Sequence, residues 1–146
     1  MKELAIEKLM SVGLKKTEIR IQILTYLLQK RNAISQPDLE KEFKSISDRV
    51  TLYRALSSFE EKGLIHKIID KNGTARFALC DTEKCLGHIH HDEHIHFHCD
   101  NCGEIICLNE KTIPEITLPE KFTVQKININ IEGVCEICNL KNSITE

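Results

Sequence analysis

Before residue 66 the apolar positions of this chain recur four times at helical spacing. Leu4, Leu9 and Met10 form a weak first stripe. The second is stronger: Thr17 stands as N-cap, and Ile23, Leu24, Leu27 and Leu28 follow on one side of a helix. A third helix is expected from Ser35 to about Phe43, with Asp38 as the capping-box partner three residues on. Ser47 or Asp48 caps a fourth, whose buried stripe is Leu52, Ala55, Leu56 and Phe59, with Gly63 ending it. The period then drops to two. In HKIIDKNGTARFAL, two extended runs flank Lys71-Asn72-Gly73, a hairpin turn signal. Three helices, a recognition helix and a hairpin wing predict a winged helix-turn-helix.

The remainder alternates where it has a pattern at all. In His94-Ile95-His96-Phe97-His98-Cys99, the residues at i and i+2 share a strand face, so His94 and His96 point together and Ile95 and Phe97 the other way. Ile127, Ile129 and Ile131 alternate with Asn128, Asn130 and Glu132, again a one-sided strand. A short helix from about Asn109 to Ile116 is expected between them, limited by Pro114. The fold class is therefore α+β: a winged helix domain over residues 1–79, then a small α/β domain over 80–146. A unit of about 67 residues buries a thin core, so a metal and a partner subunit are its expected supports.

Composition sharpens this division. With 41% apolar and 29% charged residues, the 146-residue chain reads as globular. Its longest apolar stretch, Ile21 to Leu28, is broken by Gln22 and Thr25 and is far short of a membrane span. The opening MKELAIEKLM lacks the apolar core of a secretion signal, so a cytoplasmic protein without membrane partners is expected. The net charge of −2 conceals a split: 15 Lys and Arg against 10 Asp and Glu up to residue 79, then 5 against 12. A basic half beside an acidic one suits a module that touches polyanions, here double-stranded DNA, joined to one that does something else. In a winged helix the start of the recognition helix enters the major groove. Off its apolar stripe lie Arg49, Thr51, Tyr53 and Arg54, whose guanidinium and phenol groups suit base edges and phosphates, while a thymine methyl offers Tyr53 an apolar contact. Lys15, Lys16 and Arg20 near the second helix would add backbone contacts. Any one such charge is equally consistent with a solvated helix face. Their grouping on one helix-wing unit argues for DNA.

Cysteine and histidine point to metal. All seven Cys and six of seven His follow residue 79, and four Cys form two C-x-x-C pairs. An odd count without a secretion signal favours metal over disulfides. Cys99, Cys102, Cys135 and Cys138 supply two knuckles that complete a thiolate tetrahedron, suited to structural Zn²⁺ with no open position. A redox pair or free thiols are the alternatives, but a thioredoxin-type motif would need one C-x-x-C on a βαβ pattern, which is absent.

Over roughly residues 11–138 the chain resembles the ferric uptake regulator (Fur) family, through VGLKKTEIR, RVTLYRALSSFEEKGLI, HHDEHIHFHCDNCGEI and the closing GVCEIC. The resemblance implies a homodimeric, metal-dependent repressor of operator DNA that dimerises through its second domain. It also implies a regulatory metal at the hinge, holding two DNA-binding units in a clamp. Two His in the strand before the first knuckle are matched by His94 and His96. Iron and peroxide sensors add an N-terminal-domain His, where this chain has RNAIS, and a carboxylate, where it has Cys107. The zinc uptake regulator branch fits better: its wing-end Cys is matched by Cys80, and its ligand after the recognition helix by His66. The implied site of His66, Cys80, His94 and His96 is soft enough to prefer zinc to iron(II), although cobalt, nickel and copper share that preference. His66 is equally readable as an ordinary surface histidine, and Cys80 as a small buried hydrophobe. Cys85, His88, His90, His91 and Cys107 remain as further ligands, for this site or a second one holding another divalent transition metal.

The expected function is a zinc-responsive repressor, with an iron-, manganese- or peroxide-responsive one as the alternative. Two readings of other classes compete. A zinc storage or chaperone protein would leave the winged helix unexplained. A zinc hydrolase would place His91-x-Glu93 beside Cys99-x-x-Cys102, as in deaminases, but the second C-x-x-C saturates the metal. An enzyme is therefore not expected.

Overall fold

The computed structural model describes residues 1–80, 95–108, 114–125 and 127–144. The chain divides into two compact units, Met1–Leu86 and Gly87–Glu146.

The first unit opens with α1 (Lys2–Ser11) and α2 (Glu18–Leu28). Only Ala5 and Leu9 of α1 are buried. Met10, expected inside, is 60% exposed, and Leu4 is exposed as well. The weak stripe resolves onto the Ala5/Leu9 pair, one helical turn apart. In α2 the buried side is Ile21, Ile23, Leu24 and Leu27, with Leu28 half-buried. Thr17 occupies the N-cap position without a side-chain cap bond.

A two-residue strand, β1 (Ile34–Ser35), leads into α3 (Gln36–Phe43). The Ser35 hydroxyl accepts the Asp38 N–H at 3.3 Å, the expected N-cap, and donates to the Asp38 carboxylate at 2.6 Å, so Asp38 reaches back to the Ser35 hydroxyl where a capping box would use its backbone N–H. Asp48 caps α4 (Arg49–Glu61), accepting from the Thr51 N–H at 2.7 Å and the Thr51 hydroxyl at 3.1 Å. Gly63, at φ 70°, turns the chain out of α4. The hairpin follows as β2 (Ile65–Ile69) and β3 (Ala75–Leu79). Its turn is organised by Asp70, which accepts the N–H groups of Asn72 and Thr74 and pairs with Arg76 at 3.1 Å. Strand order is β1-β3-β2, all antiparallel. One core joins Leu9, Leu24, Leu39, Leu56, Phe59, Leu64 and Phe77 beneath this sheet.

In the second unit β4 (Ile95–Cys99) lies between β5 (Ile105–Leu108) and β6 (Ile129–Gly133). Its partner β5 is antiparallel, while β6 is parallel and so requires a crossover. Ile95, His96, His98 and Cys99 are all buried, so this central strand is covered on both faces. The strand expected over 127–132 is found at Ile129–Gly133. It is not one-sided: Ile131 is 41% exposed, because β6 is an edge strand. Of the helix expected over Asn109–Ile116, residues 114–116 are not helical, consistent with Pro114, and 109–113 lie outside the described residues. A helix the pattern reading missed, α5 (Glu136–Ile144), follows the second knuckle.

Phe59 is fully buried in the first core, so Phe59→Ala should cost that unit about 3–5 kcal/mol. Urea unfolding followed by Tyr26 and Tyr53 fluorescence checks this, both tyrosines lying in this unit. A loss below about 1 kcal/mol would mean that the core is not organised around this ring.

Candidate metal centre and nucleic-acid interface

The first knuckle is the turn between β4 and β5. The Cys99 carbonyl accepts the Gly103 N–H at 2.9 Å, with Gly103 at φ 72°, a conformation glycine adopts without strain. The second knuckle joins β6 to α5. Parallel pairing of β4 with β6 brings Cys99 level with Gly133, two residues before Cys135. The sulfurs of Cys99, Cys102, Cys135 and Cys138 all lie within 4.8 Å of one another. Cys99 to Cys138 and Cys102 to Cys135 are each 3.9 Å. A tetrahedron with Zn–S bonds of about 2.3 Å has its sulfurs about 3.8 Å apart, so the set fits such an ion.

The electrostatics point the same way. Backbone N–H groups of Cys102 and Cys135 donate to the Cys99 sulfur at 3.5 and 3.3 Å and hold its thiol down to about 6. The Glu104 N–H favours a Cys102 thiolate, but desolvation and the neighbouring sulfurs push that thiol up to about 12. Four sulfurs this close cannot all ionise without a cation among them. Cys99, Cys135 and Cys138, with Phe97 and Ile106 against them, also form a small buried cluster of this unit.

Two further pairs of ligand-type side chains occur, one in each unit. In the first unit His66 Nδ1 lies 3.3 Å from the Cys80 sulfur, and both residues are buried. The Cys80 N–H donates to the Leu64 carbonyl at 3.0 Å, which prolongs the β2–β3 ladder by one residue and sets this contact. In the second unit His96 sits opposite Cys107 on β5 and Asn130 on β6, so the three leave one sheet face together. Cys107, one of several leftover ligands in the sequence, is thus singled out by register. His98, which sequence reasoning assigned no role, shares that face and bonds Asn130 at 3.3 Å. His94, Cys85, His88, His90 and His91 lie outside the described residues.

Among the residues expected to meet DNA, Lys15, Lys16, Arg49, Thr51 and Arg54 are exposed and Arg20 is half-buried, donating to the Lys15 carbonyl at 3.2 Å. The Thr51 hydroxyl is taken by the Asp48 cap. Tyr53 differs from the expectation of a phenol offered outward: its ring packs on the core and its hydroxyl bonds Glu40 and Gln36. Burial first, then Glu40, raises its pKa. Sequence reasoning missed Val50, an apolar side chain 58% exposed beside Arg49 at the start of α4. Its exposure at a capped helix start was the available signal, and it suits a thymine methyl.

A winged helix unit with exposed cations at the start of its fourth helix, followed by a unit built on a four-thiolate centre, defines a metal-responsive, DNA-binding transcriptional regulator. The ferric uptake regulator family model matches residues 11–132, and the chain belongs to that family. It is 26% identical to the peroxide operon regulator of Bacillus subtilis (strain 168), over 95% of this chain and 94% of that protein. It is 32% identical to the ferric uptake regulation protein of Legionella pneumophila, over 90% of this chain and 96% of that one. Among solved structures it resembles a zinc uptake regulator complexed with zinc and DNA, at a TM-score of 0.66 and 20% identity, covering 97% of this chain and 95% of the other. No helix among the described residues is long and apolar enough to cross a membrane.

Two outcomes are expected. Cys138→Ser should release tightly held zinc and unfold the second unit, read by metal analysis and circular dichroism; a folded variant that keeps its zinc would contradict the four-thiolate assignment. Arg54→Ala should weaken binding to every duplex and shallow the log K against log salt slope by about one. Parental binding at all salt concentrations would remove Arg54 from the interface.

Proposed function

We propose that the chain is a zinc-responsive repressor that binds operator DNA as a homodimer, with structural zinc at Cys99, Cys102, Cys135 and Cys138. The regulatory zinc is held by His66 and Cys80 of the first unit with His94 and His96 of the second, and Cys107 joins them through its pairing with His96. The observation that carries this reading is the buried His66–Cys80 pair at 3.3 Å. A thiolate there, and a second one available at Cys107, makes a nitrogen-and-sulfur donor set that favours zinc over iron(II) and manganese(II). A metal whose ligands come from both units binds one interdomain arrangement better than others. That differential affinity is what a switch requires, since equal binding to both forms shifts nothing.

Dimerisation is supported by apolar surface left in the second unit. The edge strand β6 exposes Ile131, and α5 exposes Ile137, Leu140 and Ile144 at helical spacing. A second reading is an iron-, manganese- or peroxide-responsive repressor on the same scaffold, with the names of the relatives favouring iron or peroxide. A hydrolytic role has no support from the four-thiolate set, which offers no open position for water.

The test is a titration of protein stripped of its exchangeable metal, followed by operator binding. Zinc should activate at lower free concentration than iron(II) or manganese(II). Cys80→Ser should keep one zinc per chain and the dimer while losing metal stimulation. Thiol and imidazole shed protons to bind metal, so operator affinity should fall as pH drops through about 6.5. A normal zinc response in Cys80→Ser removes that ligand set. Activation by iron(II), with release of DNA on peroxide, would replace this reading by the second.

A further inference from the structure

α3 and α4 are tied by a polar knot that the core does not require. At its centre is Glu40, midway along α3, which lines a cleft of about 540 Å³. One carboxylate oxygen accepts the Arg49 guanidinium at 2.7 Å. The other accepts the Tyr53 hydroxyl and, at 3.3 Å, the Gln36 amide, which also donates to the Tyr53 oxygen. The Tyr53 hydroxyl, then Gln36 and Arg49, hold the Glu40 carboxyl below its ordinary value against a smaller upward push from desolvation, so it is ionised at neutral pH.

The Arg49 side chain is 72% exposed, so its ion pair contributes little to stability. Its consequence is for charge. The cleft also carries Lys41 and Lys44, and its other acid, Asp48, is occupied in capping α4. Glu40 is therefore the carboxylate that offsets Arg49 at the start of the helix read as DNA-facing.

We propose that Glu40 is a positioning residue that withholds Arg49 from the phosphates of unrelated DNA, by occupying Arg49 and fixing Tyr53 until DNA supplies a better partner. Every duplex offers phosphates. Exchanging the Glu40 carboxylate for a phosphate returns little, because one anion replaces another and Glu40 is left facing the DNA backbone. A base edge that takes Arg49 in two hydrogen bonds, as guanine O6 and N7 do, returns more. Glu40 thus keeps Arg49 off unrelated DNA, and an operator that does take Arg49 must first break the ion pair, so Glu40 lowers affinity for both. The inference rests on the reading of α4 as the DNA-facing helix.

The experiment compares Glu40→Gln with the parent, both metal-loaded and full-length, on operator and on an unrelated duplex across a salt series. The amide keeps the shape and can still accept from Tyr53. Unrelated-duplex affinity should rise about fivefold near 0.1 M salt, with a slope steeper by about one, as Arg49 gains a phosphate. Operator affinity should rise at least as much if a base edge takes Arg49, with its salt slope unchanged. Adding Arg49→Ala to Glu40→Gln should return the unrelated-duplex slope to the parental one, a reversal that loss of structure would not produce. If Glu40→Gln leaves unrelated-duplex affinity and slope unchanged while Arg54→Ala still shallows the slope, the role given to Glu40 is wrong and the DNA-facing reading stands. If neither variant moves any slope, the α4 reading falls and the proposal with it.

Discussion

Convergence of four sulfurs is the constraint on which the second unit depends. Among its described residues the cysteines themselves form a buried cluster with Phe97 and Ile106, in the same small sheet as the buried Ile95 and Ile105. Structural zinc in small domains is worth roughly 10–16 kcal/mol, comparable with the stability of a whole domain, so an ion at this centre would be a large part of what holds these strands together. The knuckles also determine topology. One is the β4–β5 turn, and the other closes the parallel β4–β6 pairing, so a single centre pins both neighbours of the central strand.

The first unit is stabilised by different means. Two of its four helices, α3 and α4, are capped by Ser35 and Asp48, its wing turn is bound by Asp70, and its core holds several fully buried large side chains. Little of this depends on metal. On the reading proposed above, regulation would therefore act on how this unit is offered to DNA rather than on its fold. That division of labour is consistent with ligand-type residues in both units: His66 and Cys80 at the foot of the wing, His96 and Cys107 across two strands.

The surface expected to meet DNA is less open than a helical wheel suggests. Thr51 is committed to a cap, and the Tyr53 hydroxyl to Glu40 and Gln36. Arg49 is held by Glu40, while Val50 stands out in solvent. A charge on the polar side of an amphipathic helix is thus no guide to whether it is available. That depends on the neighbouring helix, and α3 happens to carry the acceptor.

Local chemistry alone determined most of the first unit. Caps, apolar periods and an Asn-Gly turn act over three to five residues, so the helices, the wing and the four-thiolate set could all be read from spacing. Tertiary structure decided what depends on partners distant in sequence. The two-residue β1 carries no period of its own and exists only because Ile34 and Ser35 pair with Phe77 and Arg76. Burial of both faces of β4 follows from its central place in the sheet, and exposure of Ile131 from the edge position of β6. Cys107 acquired a partner through strand register, and Tyr53 lost its outward hydroxyl to a residue thirteen positions earlier. Spacing names the residues capable of a given chemistry; which of them meet is set by hydrogen-bonded register and helix packing, whose free energy is collected only when distant segments come together.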